Sequence, residues 1–576
     1  MIARAIQGGR GSPKASRSSG ALPALRAFAR LPQDQQLGRL AYALKQGFFA
    51  LPVYPWSLAG RTPTALFVSL SDPWPGDPEA GRAIMRGRFQ FFGKPLQTPA
   101  PLWEPVGVDA AWAREINAFD WLRDLRTAGG DSARRCAREL VTAWMDSNKG
   151  WNPIAWHPST TGRRLANWLG HYAFFAASAE VAFRHRLLRH LNRQVRHLSR
   201  ALPAGLAGAD AIAAIKGLVS AGVCLPGNEA SLQRGLALLA RELPRQILPD
   251  GGQVERSPAR HLAVLRDLID LRATLHAGDI AVPPDLQAAI AQMTPMLRLF
   301  RHGDGGLALF NDSNELESWQ VDMVLQRTDG PSRPLTTAPA SGFQRLQAGR
   351  TLLLVDAGAP PPAGYDHHAH AGTLSLEMSV GRERLFVNCG AHAADGEWRR
   401  AQRSTAAHST LVIGETNSSQ ISREGELGHR RAHATARRDE ADGSVWLDLN
   451  HDGYKSGFGL THARRLYLSA NGEDLRGEDR MEGRGKADFA LRFHLHPEVQ
   501  ASLAQGGNTA LLRLPKGGGW RFRAKGGTMR LEPSVYLGRE GVIRRSEQLV
   551  ISGHCEGEGA AVQWALQREA KATSRR

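Results

Sequence analysis

Between Tyr365 and Val412 the chain reads YDHHAHAGTLSLEMSV, then GRERLFVNCG, and further on RSTAAHSTLV. Imidazoles that meet in space can hold a metal ion or move protons. His368 and His370 stand just before an apolar run of strand character, Asn388 closes the next run, and His408 opens a third. A hairpin of 373–380 and 384–388, turned at Gly381-Arg382-Glu383, sets the start of the first strand beside the end of the second. Antiparallel pairing of 409–413 with 384–388 would bring His408 to the same edge, so that His368, His370, Asn388 and His408 converge. Two histidines and a carboxylate would suit zinc. Here the third group is Asn388, an uncharged and weaker ligand, while Cys389 next to it points to the opposite face. Two readings stand: a divalent metal such as zinc held within this set, or a hydrogen-bonded histidine cluster that holds loops in place. A second H-x-H, His494 and His496 in RFHLHP, reads mainly as sheet surface beside Arg492.

The elements that position these groups change period along the chain. From about residue 36 to 300 the pattern is helical. In RRLANWLGHYAFFAASAEVAF, Leu165, Trp168, Leu169 and Tyr172 share one side, and Arg164, Asn167 and His171 fall at i, i+3, i+7 on another. In ARHLAVLRDLIDLRATL, Leu262, Leu265, Leu268 and Leu275 recur; Ser257 reads as the N-cap and Pro258 as the first helical residue. Gly/Pro breaks between such segments predict stacked helical hairpins. Nine of the 14 tryptophans lie between Trp56 and Trp168, as core or as platforms for sugar rings. After about residue 340 the period becomes two, in TLLLVDAG, LSLEMSV, RLFVN, STLVI, RRLYLSANGEDLRGEDRM and ALRFHLHP, with Asn471-Gly472 as a hairpin turn. These runs predict an antiparallel β-sandwich over 341–566. HGDGGLALFNDSNE and the polar stretch to Pro339 predict a linker over 301–340.

At 576 residues more than one core is required. A hydrophobic content of 42% with 22% charged residues describes a globular chain. No run of about 18 apolar residues occurs, which argues against a membrane span. Residues 1–35 read as a disordered basic arm with no apolar export core, and 567–576 as a basic tail. Four scattered cysteines with no C-x-x-C suggest neither a zinc knuckle nor a disulfide framework. A net charge of +18 favours polyanions. No nucleic-acid recognition motif stands out, an acidic polysaccharide would use the same field, and a generally Arg-rich composition would give the charge with no polyanion partner at all.

HHAHAGTLSLEMSVGRERLFVNCG, AAHSTLVI, the DGGQVERSPARH stretch before a helix, and WNPIAWHPSTTGRRLANWLGH together resemble the heparinase II/III family of polysaccharide lyases, including related alginate lyases. The resemblance covers most of the chain. It implies an α+β multidomain fold: an N-terminal (α/α) toroid of helical hairpins over 36–300, then the antiparallel β-sandwich. It implies β-elimination on a uronate-containing glycan, with work at the cell envelope or periplasm; the N-terminus leaves the cytoplasm open. The chemistry needs a donor to neutralise the C5 carboxylate, a base for the C5 proton and an acid for the leaving O4. By motif position His368 resembles the catalytic histidine, and His370 and His408 resemble metal ligands. Two positions depart from the family pattern: Asn388 stands where a metal-binding Asp is usual, and Arg260 where a catalytic Tyr is usual. Arginine does not deprotonate, so Arg260 would clamp a carboxylate and His368, His171 or Tyr365 would move protons. Arg164, Asn167, Trp168, Glu255 and His261 complete the expected substrate contacts. A catalytically impaired glycan-binding or envelope-biogenesis protein on the same scaffold is the alternative.

Overall fold

The computed structural model describes residues 21–569 apart from 98–101, 104–106, 331, 393–395, 423–424, 429–430 and 505. The described residues form two compact units: 31–247 with 263–291, and 21–30 with 248–262 and 292–569. No described helix is long and apolar enough to cross a membrane. The expected basic arm over 1–35 lies outside the described residues up to 20. Beyond that point it is helical, over Ala21–Ala29 and from Gln33 to Phe49. At the other end, the segment expected as a tail begins inside the last strand, Gly559–Arg568, and 570–576 lie outside the described residues.

The first unit is built from helical hairpins, as the 3.6-residue period requires. Its centre is the helix Gly208–Cys224, GADAIAAIKGLVSAGVC, which is apolar nearly all round and almost wholly buried. The helix Pro158–Gly170 crosses it with backbones in contact. A Cβ on Gly217 would fall 2.2 Å from the Gly162 carbonyl oxygen, and one on Gly162 would fall 2.5 Å from Ala214 Cα. Small residues at this crossing are therefore a packing requirement. Most of these tryptophans are core: Trp74, Trp103, Trp112, Trp121, Trp144, Trp156 and Trp168 are buried, whereas Trp151 is half-buried and Trp56 is exposed. Trp168 stands edge-on to Phe119 at 5.2 Å and to Trp144 at 5.3 Å between ring centres.

The second unit is an antiparallel β-sandwich. One sheet has eight strands in the order Gln500–Leu503, Thr509–Arg513, Gly519–Lys525, Gly559–Arg568, Asp474–Gly483, Leu460–Leu468, Ser444–His451, Ala434–Ala441. The other runs Thr528–Arg539, Val542–Cys555, Ala487–Leu495, Glu383–Val387, Leu376–Val380, Thr351–Asp356, Phe343–Ala348, Thr337–Ala338, with Leu411–Ile413 also on Ala487–Leu495. The inner faces meet in one core, where Phe493 lies 5.1 Å from Phe522 and 4.8 Å from Trp564. On Leu376–Val380 the two-residue period sends Leu376, Met378 and Val380 into that core. Glu377 and Ser379 point to the other face, yet they are fully buried as well.

That second burial corrects the expected linker. Residues 302–316 cover the outer face of the sheet: His302 Nε2 lies 2.9 Å from Glu377 Oε2, and Leu309 N–H donates to the same oxygen at 3.1 Å. Arg384 fixes the stretch further through Asp304 (2.7 Å) and the Leu307 carbonyl (3.0 Å). A short polar, Gly-rich segment between two periodic halves reads as a connector, although its hydrogen bonds commit it to the sheet.

In the helical unit, Gly217→Ala is expected to force the crossing helices apart and cost about 1–3 kcal/mol, as overpacking does. Denaturant unfolding followed by tryptophan fluorescence measures it; an unchanged midpoint would show that the crossing has room.

Candidate functional site

The convergence predicted from sequence occurs, by a partly different route. Leu376–Val380 and Glu383–Val387 do form a hairpin, with Val380 opposite Glu383. Leu411–Ile413 does not pair with Glu383–Val387. Both lie end to end along Ala487–Leu495: Val387 faces His494, and Leu411 faces Leu491. Asn388 and His408 therefore meet as the end of one segment and the start of another on a shared neighbour. Ser409 clamps the junction, donating its N–H to Asn388 Oδ1 (3.0 Å) and its hydroxyl to the Val387 carbonyl (2.8 Å) while accepting from His494 N–H (2.9 Å).

The group that organises the site is Asp312, in the segment expected to be linker. Its side chain is 8% exposed. Asp312 Oδ2 lies 2.5 Å from His368 Nδ1 and accepts from Arg399 Nη1 at 2.8 Å. Burial alone would push the carboxyl up; Arg399 and the His368 hydrogen bond outweigh it and hold the group well below its ordinary range. The pairing puts the His368 proton on Nδ1 and leaves a lone pair on Nε2. Arg260 Nη2 donates to that lone pair at 2.6 Å. Burial first, then the Arg260 charge, lower His368 to about 3, so the ring is neutral near pH 7. An aspartate-oriented imidazole is the arrangement of a general base, here with its basic nitrogen occupied by a guanidinium.

His370 and His408 stand beside this dyad. Asp312 N–H donates to His370 Nε2 at 3.0 Å, His370 Nδ1 lies 3.2 Å from His408 Nε2, and His408 Nδ1 lies 2.8 Å from the Ser404 carbonyl. Because a backbone N–H must donate and a carbonyl must accept, both rings carry their proton on Nδ1. Burial pushes both below the usual histidine range. Gly372 is required here: a Cβ on it would fall 2.6 Å from His408 Cδ2. Asn388 Oδ1 is spent on Ser409, and its own N–H on Glu377 Oε1 at 2.9 Å. With every imidazole nitrogen in a hydrogen bond and an amide as the third group, this set does not fit a divalent metal as it stands. Among the described residues there is no group of three His, Cys, Asp or Glu that could hold one.

The other expected contacts lie elsewhere. Arg164, expected to clamp a substrate carboxylate, is fully buried. Its guanidinium donates to the Asn117 carbonyl (2.9 Å), the Ala155 carbonyl (2.8 Å) and Gln194 Oε1 (2.7 Å), and lies 4.0 Å over the Trp144 ring. Trp168 is core and offers no platform to a sugar. Asn167 is buried and donates to the Ala118 carbonyl and Asp120 Oδ1, both at 2.9 Å. His171 is buried in the helical unit, with Nδ1 on the Asn167 carbonyl at 2.8 Å and Nε2 3.6 Å from Asp72; burial lowers it to about 4. Glu255 is buried and accepts from Gln253 Nε2 at 3.0 Å. His261 is buried and donates from Nε2 to the Met293 carbonyl at 2.9 Å. Tyr365 closes a turn, its N–H on the Pro362 carbonyl at 3.0 Å. His494 is no surface residue: it is buried, with Nδ1 2.8 Å from Ser534 Oγ and 3.4 Å from Cys389 Sγ.

Sequence reasoning missed Asn311, Asp312, Arg399 and Arg403. Asn311 and Asp312 take left-handed φ values of 47° and 61°, and Arg256, whose carbonyl accepts from Asn311 Nδ2, takes 56°. Such backbone costs energy and collects at functional sites. The helix Glu397–Arg403 supplies Arg399 and Arg403 one turn apart; Arg399 Nη2 donates to the His367 carbonyl (3.0 Å) and Arg403 Nε to the Ala369 carbonyl (2.8 Å). The i, i+4 arginines of EWRRAQR were the available signal.

The chain thus carries a helical-hairpin unit and an antiparallel sandwich, with an Asp–His–Arg site on loops at the strand ends and on the first turn of a helix. Residues 111–328 match the family description "Heparinase II/III N-terminus", and 330–565 match "Heparinase II/III-like, C-terminal". The chain belongs to the heparinase II/III family. It is 32% identical over 536 residues to "FtsZ-localized protein C" of Caulobacter vibrioides, covering 88% of this chain and 90% of that one. Among solved structures it is similar to heparinase III (TM-score 0.71, 15% identity, 96% of this chain and 93% of that one). It is also similar to heparan sulfate lyase HepC from Pedobacter heparinus (TM-score 0.59, 16% identity, 96% and 92%).

Acid should destabilise this fold earlier than carboxylate titration alone would. His368 is depressed to about 3, and His370 and His408 are lowered too, so the unfolded chain takes up protons first as pH falls below the ordinary histidine value of about 6.5. Their stabilising contribution is complete above that value and falls as pH drops towards the folded-state values. Asp312 adds its own loss only below about pH 4. Urea midpoints measured from pH 8 to 5 are expected to be level and then fall, with a shallower fall in His368→Gln. A flat profile to pH 5 would contradict the neutral, buried assignment.

Proposed function

We propose that the Asp312–His368–Arg260 site binds an acidic glycan through its carboxylates and does not cleave it by β-elimination. The observation that carries this reading is the 2.6 Å contact from Arg260 Nη2 to His368 Nε2. The nitrogen that would take a C5 proton already accepts a hydrogen bond, from a side chain that cannot itself act as base or acid. A guanidinium is well suited to a uronate carboxylate, with which it makes paired, charge-assisted hydrogen bonds. The name of the Caulobacter relative supports a role other than degradation, and we extend it to this chain: a glycan-binding protein that localises with FtsZ.

One observation favours a second reading, a working lyase. Asp312 orients His368 as it would a general base. A substrate carboxylate that draws Arg260 to itself would be neutralised at C5 and would bare Nε2 in the same movement. His368 would then take the C5 proton, with the acid for O4 unassigned.

A panel of uronate polymers, followed by ultraviolet absorbance of unsaturated products and by calorimetry, separates the two. The first reading expects binding without product, and Arg260→Ala to weaken binding about 10- to 100-fold, the worth of a charge-assisted pair. Product from the wild type that disappears in His368→Ala would replace the first reading with the second. Absence of both binding and product would sink both.

A further inference from the structure

We infer that His370 and His408 form a metal-independent, proton-ordered pair, and that the amide at Asn388 is what keeps a metal out. The inference does not rest on the glycan reading. It follows from counting lone pairs. His370 Nε2 accepts from Asp312 N–H (3.0 Å), so its proton is on Nδ1 and is donated to His408 Nε2 (3.2 Å); His408 Nδ1–H is donated to the Ser404 carbonyl (2.8 Å). All four ring nitrogens are used, and both rings are neutral.

For His370 Nδ1 and His408 Nε2 to ligate one ion together, His370 must give up its Nδ1 proton. Moving that proton to Nε2 would set an N–H against the Asp312 N–H, which the left-handed backbone at Asn311 and Asp312 aims at the ring. Turning the His408 ring is blocked by its packing on Gly372. Losing the proton to solvent would leave an imidazolate, whereas the ordinary ligand is the neutral ring; sharing an ion with His408 therefore needs the Asp312 N–H to turn away from His370 Nε2. The spacing would allow a shared ion: with metal–nitrogen bonds of about 2.0–2.1 Å, two nitrogens on a tetrahedral zinc stand roughly 3.3 Å apart. The charge would not. Asn388 brings no anion, its Oδ1 accepts from Ser409 N–H (3.0 Å), and its Nδ2 is a donor, buried and without a hydrogen-bond partner among the described residues. Geometry for two ligands is present and the third, charged ligand is missing.

The pair has a use without a metal. His370 receives Asn311 Oδ1 on its own N–H (2.9 Å) and Asp312 N–H on its ring. It thereby holds the two strained residues from which Asp312 reaches His368. The His408–Ser404 bond carries that hold to the segment after the helix Glu397–Arg403, which supplies Arg399 to the same carboxylate.

The test uses the full chain produced in zinc-supplemented medium, with metal content measured by mass spectrometry and thermal unfolding recorded with EDTA and with added zinc. The wild type is expected to hold well under one divalent ion per chain and to unfold at the same temperature in all three conditions. Asn388→Asp is expected to acquire about one zinc per chain and a zinc-dependent rise in unfolding temperature. Both gains should be lost in the Asn388→Asp/His408→Gln double variant. One divalent ion per wild-type chain, or a wild-type unfolding temperature that drops in EDTA, overturns the inference. A folded Asn388→Asp that stays metal-free overturns the role given to the amide. If Asn388→Asp fails to fold, the wild-type metal content and chelator response still decide the first point.

Discussion

A carboxylate removed from water needs partners, and the cost of leaving it without them is several kcal/mol. Asp312 is such a carboxylate, and most of the site can be read as what it requires. Arg399 supplies the charge and His368 the hydrogen bond. His370 receives the backbone N–H that would otherwise be unpaired. Each partner is tied a second time: Arg399 to the His367 carbonyl, His370 to Asn311, His368 to Arg260. The loop before Leu376–Val380, the helix Glu397–Arg403 and the 302–316 segment thus converge on one side chain. The left-handed backbone at Asn311 and Asp312 costs on the order of 1–3 kcal/mol per residue. It is tolerated because relaxing it would strand the carboxylate.

The sheet beneath makes the same kind of commitment. Glu377 sits on the outer face of its strand, where an apolar residue would satisfy packing as well. Instead its two oxygens accept from Asn388 N–H, from Leu309 N–H and from His302. One side chain thereby fixes both the strand end that carries Asn388 and the segment that carries Asp312. Arg464 does the equivalent from inside the sandwich. It pairs with Asp479 at 2.7 Å and donates to the Leu374 and Ser409 carbonyls at 2.6 and 3.1 Å. Burial would raise the Asp479 carboxyl, but Arg464 and His462 outweigh that and hold it below its ordinary range. Buried polar networks of this kind are poor value for stability and good value for uniqueness. A shift of register between the sheet and the loops of the site would break these bonds.

How much of this could be read from sequence follows from which features are periodic. The two-residue alternation of LSLEMSV and RLFVN, broken by Gly381-Arg382-Glu383, gives the hairpin, and the histidines at its rim give the site's location. Strand order is not periodic information. The expected partner of Leu411–Ile413 was therefore the wrong strand, although the convergence survived because Ala487–Leu495 is long enough to carry both segments. Helical spacing shows that Arg164 shares a face with Asn167, but not that this face is inside. A guanidinium surrounded by carbonyls and the Trp144 ring looks, in sequence, like one waiting for substrate. Asp312 belongs to no pattern at all. One of two acids in FNDSNE, it takes its meaning from the fold around it.

Arg260 is the residue whose placement local energetics explains least. It lies in the first turn of the helix Pro258–Ala277, its N–H 3.4 Å from the Ser257 hydroxyl. A cation there opposes the helix dipole, at a cost of about 0.3–1 kcal/mol. Its polar contact in the site is a neutral imidazole, a weaker partner for a guanidinium than a carboxylate. An Arg chosen for helix stability would sit at the other end, and one chosen to hold His368 would be outdone by a carboxylate, such as the one Asp312 already supplies to Nδ1. Both costs are repaid once an anion arrives, because a helix N-terminus and a guanidinium then address the same charge. The position is poor for the unliganded fold and good for a carboxylate ligand. On the proposed reading, that asymmetry is the reason for an arginine at this position.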